Sequence, residues 1–204
     1  MIKLFNPFVN NDKFEVTIAS LKYNVVKDTK TDVDSDNLVI KINTMMSPQR
    51  QLLELIDIFY KECIKEYRFD TNVVNSTREL AINTMFLFDE TLVDWIDNSV
   101  FPYGFHIGSQ KYTCSDMPEV DQYFTSFQYG ITDHAKAEMA IAKVTSSTLV
   151  DSTVREVTFW HEYMHCLFDS TWNTKANASE FIVDNLGRAL WMFLKPFKIK
   201  YEQK

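Results

Sequence analysis

The chain has few cysteines, few glycines and prolines, no basic block and no long apolar run, and each shortage narrows what it can be. Its 204 residues include three cysteines, Cys63, Cys114 and Cys166, widely spaced and without a CxxC pair. They suggest neither a disulfide framework nor a cysteine-held zinc, and a reducing compartment fits best. Four Gly and five Pro argue against long flexible linkers and collagen-like or low-complexity segments. The formal net charge is -7 with no cluster of Lys and Arg, so a nucleic-acid partner gets no support. Nothing approaches the ~18 consecutive apolar residues of a membrane span. Residues 1–12 hold Phe5, Phe8 and Val9 but not the apolar run of a signal peptide. The expectation is a soluble, unexported protein in a cytoplasm, with neither membrane nor nucleic acid as partner.

What remains is ordinary for a globular chain: 46% hydrophobic and 24% charged residues, with 16 Phe, 9 Tyr and 4 Trp for an aromatic-rich core. Residues 14–18 alternate apolar and polar, and residues 38–42 read as a second strand. The polar stretch 27–37 joins them, in the manner of a hairpin. Ser47-Pro48 starts a helix, with the serine as cap and the proline where no N–H is needed. Leu52, Ile56, Phe59 and Cys63 give it one apolar face. Ser76 with Glu79 three residues on matches a capping box for a second helix, which runs through Leu80, Met85 and Leu87 and breaks before residues 91–96. Punctuation at residues 98–104 separates this N-terminal region, 1–100, from a domain at 101–204. There the pattern gives strands at 105–113, 123–129 and 139–144, with a turn at 129–133. Helices follow at about 152–168 and 178–194, the last closed by Pro196. Internal repeats are not evident.

The sharpest signal is His161-Glu162-Tyr163-Met164-His165. Residues four apart share a helix face, so His161 and His165 can aim two imidazoles at one ion, with zinc–nitrogen distances of ~2.0–2.1 Å. Glu162 sits about 100° round the helix from His161 and about 60° from His165, which suits a general base acting on zinc-bound water. The spacing HExxH arises by chance in roughly one chain in 200 of this size. Here it lies among Val157, Trp160, Met164 and Leu167, where polar groups need partners. A catalytic zinc takes a third protein ligand, and the following helix offers Glu180, with Asp184 four residues on. Asp169 is the competing third ligand, but it falls below His165 on the same helix, and Glu180 is favoured. Gly187, one face-repeat after Glu180, lets the two helices approach. The extended motif with a third histidine is absent from residues 169–173. His106 and His134 read first as structural or exposed; His134, after Gly130, is also placed to line a cleft and steady an oxyanion. Cys166 reads as a small buried apolar residue.

The pair Glu180 and Asp184 resembles the ExxxD element of the gluzincins, in which the glutamate binds zinc and the aspartate orients a ligand histidine. Residues 105–197 resemble more broadly a small zincin family of phage and prophage proteins. The points of likeness are Gln110-Lys111-Tyr112, the Tyr-Gly-x-Thr-Asp stretch at 129–133, the apolar strand at 139–144, HExxH, and a last helix opening Glu180-Phe181. The resemblance implies a phage origin, a location in the bacterial host cytoplasm or on the virion, one zinc per chain and peptidolytic potential.

The expected fold is α+β: a small, mostly antiparallel sheet packed on two metal-bearing helices in a minimal zincin-like domain, preceded by a mixed strand and helix region. The expected function is a zinc metalloendopeptidase acting on a peptide or protein, with zinc on His161, His165 and Glu180, Glu162 as base, Asp184 behind the ligands and His134 as transition-state stabiliser. Two rival readings remain. One is a structural or interaction protein that uses the scaffold without turnover and engages a virion or host protein; the other is a regulatory protease with a single protein target.

Overall fold

The computed structural model describes residues 12–84, 104–117, 129–145, 148–172 and 174–194. The fold is α+β. Strand β1 (Lys13–Ile18) turns through Ala19 and Ser20, both at positive φ, into β2 (Leu21–Asp28). This is the two-residue hairpin geometry that matches strand twist. Strand β4 (Val39–Asn43) pairs parallel to β2, and β3 (Asp32–Asp34) pairs antiparallel to the outer side of β4. The hairpin expected between residues 14–18 and 38–42 therefore does not form, because β2 lies between them. Its alternation was there to be read: Tyr23 and Val25 point inward beside Val16, Ile18, Ile40 and Ile42, all buried.

Helix α1 (Pro48–Tyr67) begins as the sequence indicates, with the Ser47 hydroxyl accepting the Arg50 N–H. Helix α2 (Thr71–Thr84) starts five residues before the expected capping box. Asp70 accepts the Asn72 N–H at 2.9 Å, so the chain is already helical when it reaches Ser76. The expected continuation through Met85 and Leu87, residues 91–96 and the boundary near residue 100 all lie outside the described residues.

The second sheet consists of β5 (Gly104–Ile107), β6 (Gln110–Met117), β7 (Gly130–Asp133) and β8 (Glu138–Ala142), in the order β5-β6-β8-β7. The single strand expected at 105–113 is a hairpin folded at Gly108, whose φ is 59°. Residues 130–133, expected as a turn, form the edge strand β7. The turn comes next, where Asp133 accepts the Lys136 N–H and Ala137 is left-handed. The strand expected at 123–129 falls almost wholly outside the described residues. A short ladder, β9 (Val144–Thr145) with β10 (Thr148–Leu149), leads to α3 (Ser152–Ser170), which is capped by Asp151. After α4 (Thr174–Asn177) comes α5 (Glu180–Leu194), whose Pro196 stop lies outside the described residues.

Each four-stranded sheet has two antiparallel pairings and one parallel pairing, and the two share one strand order and one pairing pattern. The chain thus contains an internal repeat of topology that the sequence did not make evident. One buried cluster runs from Val16 through Phe59 and Tyr163 to Phe193. Helix α5 lies against α3, β1 and α1, while α2 lies against α3 and β5. Across this junction Phe59 and Phe193 pack with ring centroids 4.8 Å apart. Among the described residues no helix is long and apolar enough to cross a membrane.

Helices α3 and α5 approach each other backbone to backbone. A Cβ on Gly187 would sit 2.9 Å from His161 Cα and N and 3.0 Å from the Trp160 carbonyl oxygen. These are backbone atoms of α3 and cannot swing aside. Gly187→Val is therefore expected to destabilise by about 1–3 kcal/mol, outweighing the few tenths by which valine exceeds glycine in helix propensity. Thermal unfolding should show Tm lowered by roughly 2–10 °C for a chain of this length. An unchanged Tm would mean that the helices are not held this close.

Candidate metal centre

Helices α3 and α5 run antiparallel, so each residue of one meets a defined level of the other: Glu180 beside His165 and His161, Asp184 beside His161, and Trp191 beside Glu156. The HExxH face of α3 turns toward α5 and β7, while Tyr163, Met164, Cys166 and Leu167 enter the core. Cys63, Cys114 and Cys166 are all free and buried, in keeping with the reading of Cys166 as an apolar core residue.

Three side chains converge. His161 Nε2 lies 3.2 Å from His165 Nε2 and 3.4 Å from Glu180 Oε2, and His165 Nε2 lies 3.7 Å from Glu180 Oε1. Tetrahedral zinc with bonds of ~2.0–2.1 Å would keep its ligand atoms ~3.3–3.4 Å apart. The donor set fits such an ion in both type and spacing, and the three ligand atoms lie within 4.8 Å of one another. Asp169, the competing ligand, stands apart from this group, with its Oδ2 3.6 Å from His134 Nδ1.

The other ring nitrogens explain why the inner ones face each other. His161 Nδ1 lies 2.7 Å from Asp184 Oδ1. An ionised carboxylate only accepts, so this nitrogen carries the proton. His165 Nδ1 is likewise 2.7 Å from Asn177 Oδ1. With both Nδ1 atoms donating, neutral rings turn their two Nε2 lone pairs inward beside Glu180, as two histidines holding one ion would present them. Partners of this kind fix tautomer and ring orientation at metal-binding histidines. Asp184 was legible from its spacing. Asn177 was missed: it belongs to the short helix α4, which the sequence reading passed over, and no spacing rule singles it out.

Glu162 sits beneath this group. It is 7% exposed, and its Oε2 accepts the Thr132 hydroxyl at 2.8 Å. Burial pushes its carboxyl above the ordinary glutamate range, opposed by the His161 ring, the Thr132 hydrogen bond and His165. Gly130 on β7 makes room for it. A Cβ there would meet Thr158 Cγ2 at 2.6 Å, Glu162 Cγ at 2.8 Å and Glu162 Oε1 at 2.9 Å.

These groups open onto a cleft of about 720 Å³. Its floor is the exposed face of α3, with Tyr129 to Thr132 along one side and Glu180, Asp184, Arg188 and Trp191 along the other. His134 lines the cleft, as expected, and its buried Nδ1 has no hydrogen-bond partner among the described residues.

The orienting role of Asp184 and Asn177 can be checked by titration with zinc against a competing chelator. Asp184→Ala and Asn177→Ala are each expected to weaken metal affinity by roughly 10–100-fold with the fold intact. Unchanged affinity in both would remove them from the site. No family model matches the chain, and no curated protein or solved structure matches it either.

Proposed function

We propose that the protein is a zinc-dependent metallopeptidase whose metal is held by His161, His165 and Glu180. The observation that carries this reading is the joint placement of three ligand-type atoms at near-tetrahedral spacing with a buried carboxylate, Glu162, alongside them. Surface ion pairs alone would not need that acid buried, and a histidine pair in a core would not need Glu180 at its open side, where its side chain is 70% exposed. The single cluster of three ligand-type atoms found among the described residues is in keeping with one zinc per chain; a phage-type setting, in the host cytoplasm or on the virion, is proposed on the sequence resemblance alone.

A zinc ion bound there would supply a Lewis acid and a water acidified to a pKa of about 7. The chain's own residues do the rest. Asp184 and Asn177 hold the two imidazoles with Nε2 inward. Thr132 fixes Oε2 of Glu162, and the carboxylate takes the proton of the attacking water and returns it to the leaving amine. The raised proton affinity that burial gives Glu162 helps it accept that proton near neutral pH. His134, at the cleft wall, is placed to donate a hydrogen bond to the oxyanion that develops on the scissile carbonyl.

The substrate is a peptide or protein segment laid along the cleft. Glu162→Gln is expected to keep its zinc and the native Tm while losing roughly 100–10,000-fold in peptide hydrolysis. Turnover in this variant equal to wild type, measured on a quenched fluorescent peptide mixture, would reject the role of Glu162.

A further inference from the structure

The two halves of the chain repeat one another far beyond strand order. In the first sheet Val16 stands opposite Tyr23 and Asn24 opposite Val39; in the second, Phe105 stands opposite Tyr112 and Thr113 opposite Glu138. The turn before the last strand is the same device in both. Asp34 accepts the Asn37 N–H at 3.0 Å and Asp133 accepts the Lys136 N–H at 3.1 Å. Leu38 and Ala137 follow at φ 54° and 55°. Their carbonyls then accept the Asn24 and Thr113 N–H groups, both at 2.9 Å. A φ above zero is uncommon for such residues, so its recurrence at matching places is not a product of composition.

The helices continue the match. Ser47 and Asp151 cap α1 and α3, and a left-handed residue follows each helix: Arg68, the C-cap of α1, at φ 54°, and Trp172, one past the C-cap Thr171 of α3, at φ 55°. Between these points residues 51–60 and 155–164 run through buried and half-buried positions in the same order. Asp70 and Ser179 then precede α2 and α5, their carbonyls accepting the Val74 and Val183 N–H groups. The packing between the halves is reciprocal: α5 lies on β1 and α1, and α2 lies on β5 and α3. That exchange is the signature of an isologous, two-fold interface, here within one chain.

The match assigns each residue that α3 and α5 bring to the metal centre a counterpart. Asp57, Ile58 and Lys61 occupy the places of His161, Glu162 and His165. Thr71 and Asn75 stand for Glu180 and Asp184, and Arg78 stands for Gly187. Helix α4, which carries Asn177, has no equivalent between α1 and α2. At the corresponding level Asp57 pairs with Lys61 at 2.6 Å and with Arg78 at 3.3 Å. A cation, Lys61, stands in the place of the ligand His165, and the Arg78 side chain lies where the other half has bare backbone contact, both paired with Asp57.

We infer that the N-terminal unit is a second copy of the site-bearing unit in which the metal position is closed by the Asp57–Lys61–Arg78 ion cluster. The chain is a fused pseudo-dimer with one working centre. The inference takes from the proposed function only the identity of what the first copy lacks; the duplication itself stands on backbone and register.

Two measurements on the full chain test it. The first rebuilds the centre in the N-terminal unit by Asp57→His, Lys61→His, Thr71→Glu and Arg78→Gly, in a chain emptied by His161→Ala and His165→Ala. Cobalt absorption is expected to report about one bound ion per chain in place of none. A variant that folds by circular dichroism yet binds no cobalt would overturn the closed-site assignment. The second does not depend on that variant folding. In a crystal structure of the wild-type chain, residues 21–28, 39–43, 48–67 and 71–84 are expected to superpose on 110–117, 138–142, 152–171 and 180–193 in one operation close to a half-turn. Failure of any segment to join that superposition would overturn the duplication. If instead the wild-type chain binds no zinc while the superposition holds, the hydrolytic reading falls and the duplication stands.

Discussion

The backbone contact between Gly187 and His161 governs everything around the cleft. Two antiparallel helices meet there without a side chain between them, closer than any residue with a Cβ would allow. Only at that separation does Glu180 reach both imidazoles and Asp184 reach His161 Nδ1. A side chain at Gly187 would wedge the helices apart and lengthen all of these distances together. The other half of the chain makes the same point by contrast: where Arg78 takes the glycine's place, the facing Asp57 is held in ion pairs with Lys61 and Arg78.

Electrostatics sets the character of the centre. Two inward Nε2 atoms, the Glu180 carboxylate and the buried Glu162 form a group of electron-rich atoms in a partly dry site. Burial raises the cost of charge on Glu162, and the hydrogen bonds from outside hold both rings in the inward-facing tautomer. A divalent cation held by His161, His165 and Glu180, as proposed, would match the type and spacing of these atoms. Binding free energy at such a site adds directly to the stability of the folded chain, so the metal and the α3–α5 pairing are expected to support each other.

Local signals were legible where one residue type does one job. The Ser47-Pro48 start of α1, the HExxH face of α3, the Glu180 and Asp184 spacing and the close approach at Gly187 all depend on chemistry that a sequence displays. Misreadings arose where the local sequence pattern does not distinguish the alternatives. Helix α2 starts directly after Asp70, which accepts the Asn72 N–H, ahead of the capping-box pattern at Ser76. The hairpin at Gly108 folds on two residues, too few to interrupt the apolar pattern of residues 105–113. Asn177 owes its role to a single turn of helix whose place depends on tertiary packing. The duplication stayed hidden because the two copies share register and burial but few residues, the clearest being Ser20, Lys22 and Tyr23 against Ser109, Lys111 and Tyr112. Burial classes are a property of the fold, and many side chains satisfy the same class.

The proposed chemistry depends first on a metal ion being bound by His161, His165 and Glu180. The most direct measurement is the metal content of the protein purified without added metal or chelator, with His161→Ala beside it. About one zinc per chain is expected in the wild type, and a small fraction of that in the variant. A wild-type chain that carries no zinc, and takes up none when zinc is supplied, would contradict the account and leave the converging side chains as a hydrogen-bonded junction between two helices.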